Sequence, residues 1–249
     1  MVKFENIEIK YGDFVAIENL NLDIKEGEFF TFLGPSGCGK TTSLRALVGF
    51  LSPSKGKVYV GDKDVTNLPV EKRNIGMVFQ SYDLFPNKTV LGNITLAPTL
   101  VQKRDKAEVE KEAIALLERV GLADRKDAWP HELSGGQRQR VAICRALILH
   151  PEVLLFDEVT AALDPEMVRE VLDVMLELAD SGQTMLIVTH EMQFARAIAD
   201  QVILLEDGGI VERSDDAERF FTNPTTERAK QFLHTFEFDR HRKSAEQSE

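Results

Sequence analysis

The chain has 249 residues, a length that fits one domain or one domain with an inserted subdomain. Its 30 Lys and Arg residues against 41 Asp and Glu residues give a formal net charge of −11, which argues against nucleic-acid binding and against adsorption to an anionic membrane through a basic patch. Two cysteines are too few for a disulfide framework, so a reducing cytosol is the expected compartment.

The order of the predicted elements indicates an α/β fold. Apolar patterning predicts strands over 4–9, 14–24, 29–33, 57–60, 75–79, 153–156, 184–188, 201–206 and 210–212. Helices are predicted from Lys40 to Gly49, over 109–120 with Gly121 just past the end, from Ser134 to before Pro151, from Asp164 to Gly182, and over 191–199. Strands that alternate with helices predict a largely parallel sheet, and the region 87–150 is predominantly helical.

A glycine-rich segment between the strand at 29–33 and the next helix matches the phosphate-loop pattern G-x-x-x-x-G-K-[ST]. Glycines let successive backbone N–H groups converge on phosphate oxygens, and the start of the helix adds its positive end. Lys40 would reach the β- and γ-phosphates, and the Thr41 hydroxyl would bind Mg²⁺. The predicted nucleotide-binding residues of this loop are Gly34, Pro35, Ser36, Gly37, Cys38, Gly39, Lys40, Thr41 and Thr42.

An acidic pair follows another buried strand, the apolar run 153–156. Asp157 would hold the magnesium ion through water, and Glu158 would accept a proton from, or orient, the water that attacks the γ-phosphate. A pair of acids at a strand end is also common as a solvated edge. The phosphate loop in the same chain favours the catalytic interpretation.

The pentapeptide Leu133-Ser134-Gly135-Gly136-Gln137 resembles the signature of the ATP-binding subunits of ABC transporters. Ser134 and two glycines open a helix and expose backbone N–H groups, which would form a second anion site. The resemblance implies a P-loop ABC ATPase with a RecA-like core, an antiparallel β subdomain and an inserted α-helical subdomain. It implies one domain over 1–238, with core and β subdomain at 1–86 and 151–238, the helical insert at 87–150, and a polar tail at 239–249.

The same resemblance assigns roles to further residues. In such ATPases two subunits pack head to tail, so that Ser134 and Gly136, with Gly135 and Gln137 beside them, would contact the nucleotide held by the other subunit. Tyr11 matches the aromatic that stacks on adenine, although an ordinary strand tyrosine would look the same. Gln80 matches the glutamine that senses the γ-phosphate, and His190 the histidine that contacts it. The implied cofactors are ATP and Mg²⁺, with Thr41, Gln80 and Asp157 near the metal.

The loop after Glu158 departs from the family pattern at two positions. Val159 stands where the family usually has proline, and Ala161 where it often has serine. Asp164 matches the loop that crosses the dimer interface and also fits the N-cap of the next helix. We therefore expect changed loop stiffness or dimer contacts, with activity retained.

A single cassette without a predicted membrane span resembles the separate ATPase subunit of an importer. It would be peripheral on the cytoplasmic face of the cell membrane, bound to integral-membrane permease subunits as a homodimer and indirectly to an extracytoplasmic solute-binding protein. Segments near 93–98, 188–192 and 220–233 resemble polar-amino-acid importers, whereas 71–80 and the Cys38 form of the phosphate loop resemble sugar, polyamine or inorganic-ion importers. Polar amino acids are favoured; those other importers and a non-transport ABC ATPase are the alternatives.

Two smaller hypotheses concern the permease and the thiols. Tyr82, Leu84 and Phe85 would form the apolar floor of a groove for a permease helix, or would simply belong to the core. Cys38 lies near a helix N-terminus, which can lower a thiol pKa, so its modification should block ATP binding. A GTPase is disfavoured because 87–90 lacks the aspartate of N-K-x-D, and a kinase would lack the signature; a non-enzymatic nucleotide-binding scaffold is the other alternative.

Overall fold

The computed structural model of the chain describes residues 1–236 in two sheets and eight helices. The predicted tail, 239–249, lies outside the described residues, as do residues 237 and 238 of the predicted domain. The strands are β1 Val2–Tyr11, β2 Phe14–Ile24, β3 Phe29–Leu33, β4 Lys55–Val60, β5 Lys63–Asp64, β6 Ile75–Phe79, β7 Val153–Asp157, β8 Thr184–Val188, β9 Gln201–Glu206 and β10 Gly209–Ser214. The helices are α1 Lys40–Val48, α2 Val90–Leu100, α3 Lys106–Arg119, α4 Gly135–Leu147, α5 Pro165–Asp180, α6 Met192–Ile198, α7 Ala217–Thr222 and α8 Glu227–His234.

The larger sheet has six strands in the order β10-β9-β3-β8-β7-β6, and β10 alone runs antiparallel to its neighbour. All five residues of β3 and of β8 are buried, as expected for parallel strands covered on both faces. The predicted α/β fold with a largely parallel sheet is confirmed. The carboxyl ends of β3, β8, β7 and β6 therefore meet along one edge.

The smaller sheet is antiparallel, in the order β2-β1-β4-β5. Its inward residues share one apolar core with α1 and with β3, so that helix α1 lies between the two sheets. Arg73 fixes the end of this helix, because its buried guanidinium donates to the carbonyl oxygens of Ala46 and Leu47 at 2.9 and 2.8 Å and to those of Leu68 and Thr66 at 2.9 Å. The phosphate-loop helix is thus held at its carboxyl end by a side chain beyond β5.

Helices α2, α3 and α4 form a helical segment that shares a second core with β7 and α5. The predicted helix signals are present: Gly121 has φ +68° after α3, Ser134 caps α4, and Asp164 caps α5 with Pro165 at its first position. None of the helices in residues 1–236 is long and apolar enough to cross a membrane.

The carboxyl-terminal part differs from the prediction in two respects. The turn of the β9–β10 hairpin contains only Asp207 and Gly208, both with positive φ, so β10 begins earlier and ends later than expected. Helices α7 and α8 were not predicted, and they pack Phe220 and Phe232 into a third small core against β9. Buried Glu212 of β10 accepts hydrogen bonds from the backbone N–H groups of Thr225 and Thr226 just before α8.

Candidate functional site

Strand register brings the predicted catalytic residues to one edge of the larger sheet. Phe79 pairs with Asp157, which in turn pairs with Val188, and Val188 pairs with Phe32 of β3. Each of these strands is followed at once by a predicted site residue or loop. Gln80, Glu158, His190 and the phosphate loop therefore lie side by side, at the edge where open α/β sheets bind ligands.

The phosphate loop depends on glycine at two positions for steric reasons. Gly34 has φ +143°, and a Cβ there would lie 2.2 Å from the carbonyl oxygen of Leu205. Gly39 has φ +109°, and a Cβ there would lie 2.3 Å from Cδ1 of Ile17. Strands β9 and β2 thus contact the loop so closely that only glycine fits at these two positions.

Lys40 is buried and its ammonium lies across the loop. Its Nζ donates to the carbonyl oxygens of Gly34 and Pro35 at 2.7 and 2.9 Å. An ammonium has three N–H donors, and the third has only Sγ of Cys38, a weak acceptor 3.8 Å away, so it can turn to an anion at this position. The charge therefore lies in the loop that was predicted to hold phosphate.

The Cys38 side chain is buried within the loop, and its Sγ is 3.8 Å from Nζ of Lys40. Burial raises the pKa of the Cys38 thiol, and the nearby Lys40 charge opposes this only in part. The expectation of a lowered thiol pKa is wrong, because loss of solvent outweighs the helix N-terminus at this buried position.

Thr41 and Asp157 meet directly. The Thr41 hydroxyl donates to Oδ1 of Asp157 at 2.8 Å. Burial raises the pKa of the Asp157 carboxyl, the Thr41 hydrogen bond lowers it, and the charge of Glu158 raises it further. The Thr41 hydroxyl oxygen and the partly buried Asp157 carboxylate are oxygen ligands of the kind that suit a hard cation such as Mg²⁺.

Glu158 and His190 form the second close pair of the site. Oε1 of Glu158 lies 3.0 Å from Nε2 of His190, and both side chains are partly exposed. The backbone N–H of Glu158 donates to the carbonyl oxygen of Val188 at 2.9 Å, which places the residue beyond the end of β7. The pair therefore places a carboxylate and an imidazole, both accessible to solvent, at the edge of the larger sheet where the strands end.

Two predicted nucleotide contacts are exposed. Gln80 is exposed in the turn after β6, beside the end of β7. Tyr11 is 47% exposed at the end of β1, where it pairs with Phe14 across the hairpin. Three residues beyond Phe14, Ile17 of the same strand lies against Gly39, so the hairpin is tied to the phosphate loop.

Two of the signature residues border a cavity of about 520 Å³. It is lined by Ser134, Gln137, Arg140, Asp164, Pro165, Glu166, Met167 and Glu170. No phosphate-loop residue lines this cavity. The two predicted anion sites therefore do not share it.

Local packing gives the signature residues roles in their own chain as well. Ser134 Oγ accepts from the N–H of Gln137 at 3.2 Å, and Oε1 of Gln137 accepts from the N–H of Ser134 at 3.0 Å, a capping box. The N–H of Gly136 points at Sδ of Met167, 3.3 Å away. A Cβ on Gly135 would lie 2.9 Å from Leu163, so both glycines also permit close approach of neighbouring segments.

Sequence reasoning missed one contact between the loop after Glu158 and the loop after β8. The hydroxyl of buried Thr160 donates to Oε1 of Glu191 at 3.3 Å. Of the two departures from the family pattern, Val159 is buried in the core beside β7, and Ala161 is exposed. A carboxylate directly after His190 was visible in the sequence, but its partner depends on how two loops face each other.

Comparison with known proteins now identifies the family. The model of the ABC transporter family matches residues 17–161. The chain belongs to this family. It is a nucleotide-binding ATPase with the ABC ATPase fold, as the signature predicted.

Relatives match almost the whole chain. The glutamate transport ATP-binding protein GluA of Corynebacterium glutamicum is 48% identical over 237 residues, covering 94% of this chain and 98% of the relative. The glutamate/aspartate import ATP-binding protein GltL of Escherichia coli is 46% identical over 238 residues, with the same coverage of 94% and 98%. The dimeric ATP-binding cassette MJ0796 in a post-hydrolysis state, bound to ADP and phosphate, is 35% identical with a TM-score of 0.76, covering 86% of this chain and 98% of that one.

Proposed function

We propose that this chain is the ATP-binding and ATP-hydrolysing subunit of an importer for polar amino acids. The observation that carries the proposal is near full-length identity, at 46–48%, to subunits named for glutamate and for glutamate/aspartate transport. It outweighs the local segments that resemble importers of sugars, polyamines or inorganic ions. The transported solute would not touch this chain, so the assignment depends on relatives and not on a pocket.

The geometry of the sheet edge supports a division of labour in nucleotide binding. Backbone N–H groups of the phosphate loop and the ammonium of Lys40 would hold the phosphates. The Thr41 hydroxyl, the Asp157 carboxylate and Gln80 would hold Mg²⁺, which when bound supplies positive charge beside the β- and γ-phosphate oxygens. Tyr11 would provide an aromatic surface for the adenine.

The Glu158–His190 pair would carry the hydrolytic step. Glu158 would orient the attacking water and accept its proton, and His190, 3.0 Å away, would hold the carboxylate and contact the γ-phosphate. A carboxylate within hydrogen-bond reach of the water can accept its proton, whereas a glutamine at this position could not.

Dimerisation would complete the site. Ser134 and Gln137 of the signature border a cavity that no phosphate-loop residue of the same chain lines. A second subunit packed head to tail would bring Ser134 and Gly136 to the γ-phosphate, and the N–H of Gly136 would exchange Met167 for a phosphate oxygen. Loss of the γ-phosphate on hydrolysis would then release the dimer, as in other γ-phosphate switches.

An apolar cleft supports a docking site for the permease on the cytoplasmic face of the membrane. A cavity of about 240 Å³ lies between β6 and α2, with Ile75 on one side and Val101 on the other. Val101 of this cavity is exposed, and Phe85 in the segment before α2 is exposed as well, although it does not line the cavity. The permease would cover both side chains and would in turn bind an extracytoplasmic solute-binding protein.

Reconstitution tests the function. The chain, its permease and its solute-binding protein would be incorporated in proteoliposomes containing ATP, and uptake of labelled glutamate, glutamine, arginine, maltose, putrescine and phosphate would be compared. We expect uptake of one or more amino acids, abolished by Glu158→Gln. Uptake of only a sugar, a polyamine or an inorganic ion would overturn the amino-acid assignment, and absence of any ATP hydrolysis would overturn the enzyme.

A further inference from the structure

Residues 79–85, which we call the connecting segment, run from the last residue of β6 towards α2, which begins at Val90, and α4 contacts them at several points. Nε2 of Gln139 donates to the carbonyl oxygen of Phe79 at 3.2 Å, at the start of the segment. Nη2 and Nη1 of Arg145 donate to the carbonyl oxygens of Tyr82 and Asp83 at 3.1 and 2.6 Å. Side chains of α4 therefore form hydrogen bonds to the beginning and to the middle of the segment.

Aromatic contacts reinforce this attachment. The guanidinium of Arg138 lies 5.1 Å from the centre of the Tyr82 ring, and that of Arg145 lies 5.8 Å from the centre of the Phe85 ring. Both distances fit cation–π attraction. The Tyr82 hydroxyl lies 3.0 Å from the position that a Cβ of Gly135 would occupy. The segment thus contacts α4 from the signature to its last turn.

The two carbonyl groups that Arg145 binds belong to residues in a rare backbone conformation. Tyr82 has φ +61° and Asp83 has φ +46°. Left-handed conformations cost a non-glycine residue roughly 1 kcal/mol or more, so two in succession need compensation from outside the segment. The fork of a guanidinium can donate to two adjacent carbonyl groups at once, which a lysine ammonium does less well.

The surroundings of Arg145 indicate that these carbonyl groups are its main partners. In residues 1–236 it forms no ion pair, although Asp83 is near enough for its charge to be felt. Burial lowers the pKa of the Arg145 guanidinium, which reflects a charge with little access to water. A half-buried charge needs hydrogen bonds to offset its desolvation, and here the carbonyl oxygens of Tyr82 and Asp83 supply them.

We propose that Arg145 is a positioning residue that holds the connecting segment against α4, the helix that begins at the signature. Contact of the permease at Phe85 would then move the segment together with Ser134 and Gly136. This inference rests on the proposed function, because it uses the permease and the head-to-tail dimer. The segment carries Gln80 at one end and Phe85 at the other, and α4 begins at the signature. A force on Phe85 would therefore reach the nucleotide bound by the other subunit.

The experiment uses the complete transporter with Arg145→Ala and Arg145→Lys. Arg119→Ala is the matched control: it lies on the neighbouring helix α3, donates to the carbonyl oxygen of Glu177 at 3.3 Å and pairs with the Glu177 carboxylate, away from the segment and from the signature cavity. We expect Arg145→Ala to reduce solute-stimulated ATPase about tenfold or more, the size expected for lost hydrogen bonds to a charged group. Arg145→Lys should fall between it and wild type, and Arg119→Ala should stay within about twofold of wild type.

Two measurements separate positioning from general damage. The Kd for ATP of the isolated subunit should stay within about twofold of wild type in all variants, because Arg145 touches no phosphate-binding residue. Amide exchange over 82–85 in the isolated subunit should rise about tenfold or more in Arg145→Ala and stay unchanged in Arg119→Ala. The exchange measurement needs no permease. If Arg145→Ala fails to fold, the same measurement on Arg145→Lys tests the proposal.

Three outcomes are decisive. Unchanged exchange over 82–85, or stimulation in Arg145→Ala equal to wild type, would overturn the positioning role. Equal losses of stimulation in Arg145→Ala and Arg119→Ala would overturn it as well, since both would report general damage to the helical segment. If wild type itself shows no stimulation by permease and solute, the proposed function fails, whereas faster exchange in the arginine variants still supports the attachment of the segment to α4.

Discussion

Oε1 of Glu158 lies 3.0 Å from Nε2 of His190, although the two residues follow different strands. The pairing of Asp157 with Val188 brings these strand ends together, and the N–H of Glu158 donates to the carbonyl oxygen of Val188. Glu158 also has φ +50°, a conformation that costs a glutamate free energy and persists only where surrounding contacts offset that cost. Strain of this kind at a strand end is typical of residues whose side-chain direction serves a site.

Glu158→Gln should separate binding from hydrolysis. Glutamine keeps the size of the side chain and a hydrogen bond to His190, but it cannot accept a proton from water. We expect ATP binding within a few-fold of wild type and a turnover number lower by roughly 10²–10⁴, the range that general bases contribute. Light scattering after size exclusion should show an ATP-dependent dimer that persists. Rapid hydrolysis by this variant would mean that Glu158 is not the base.

Asp157→Asn should abolish Mg²⁺-dependent hydrolysis and raise the stability of the nucleotide-free subunit. The pKa of Asp157 is raised in the fold, mainly by burial, so the charged form is less favourable there than in the unfolded chain. The free energy of unfolding of wild type therefore falls as pH rises through the raised pKa.

The advantage of Asp157→Asn in melting temperature should consequently be present at pH 7 and shrink as the pH falls through the raised pKa towards the ordinary carboxyl pKa, because the wild-type carboxyl in the fold becomes neutral over this range. Thermal melts of both proteins without nucleotide, between pH 4 and pH 8, measure this. A melting temperature of the asparagine variant below wild type at pH 7 would contradict the argument.

Two phosphate-loop glycines should respond very differently to alanine. At Gly34 a Cβ would lie 2.2 Å from the carbonyl oxygen of Leu205 in β9, whereas nothing lies within 4 Å of a Cβ at Gly37, which has φ +82°. We expect Gly34→Ala to lower the free energy of unfolding by about 3 kcal/mol or more, and Gly37→Ala by about 1 kcal/mol from backbone strain alone. Urea unfolding of the two variants compares them directly; equal losses would mean that the loop relaxes freely around Gly34.

Much of the fold follows from signals that are local in sequence. The caps at Ser134 and Asp164 and the glycine after α3 fixed helix ends correctly, because each acts through the backbone within one turn. Helices α7 and α8 were missed because they are short and owe their stability to packing against β9 and to Glu212. Their existence depends on tertiary contacts that no short window of sequence contains.

The site divides in the same way. The residues of the phosphate loop and the acidic pair were predictable, since each follows a recognisable buried strand and strand ends meet at one edge. The attachment of Arg145 to the carbonyl oxygens of Tyr82 and Asp83 was not, because backbone carbonyl groups leave no mark in the sequence. The pKa of Cys38 was misjudged for a related reason: the helix N-terminus was visible, but the degree of burial was not.

The two thiols should therefore both react slowly, and Cys38 should be the one that ATP protects. Burial raises the pKa of Cys38, and it raises that of Cys144, deep in the helical core, to about 12. Because the thiolate is the reactive form, alkylation of Cys38 at pH 7 should be slower than that of an exposed cysteine and should accelerate as pH rises. Cys144 should be labelled only after unfolding.

Mass spectrometry after timed treatment with N-ethylmaleimide measures both sites. Sγ of Cys38 lies 2.7 Å from the position that a Cβ of Gly34 would occupy and 3.8 Å from Nζ of Lys40, so a phosphate group bound by the loop should slow its labelling further. Labelling of Cys38 as fast as that of a free thiol, or at the same rate with and without ATP, would contradict a buried thiol next to the phosphate site.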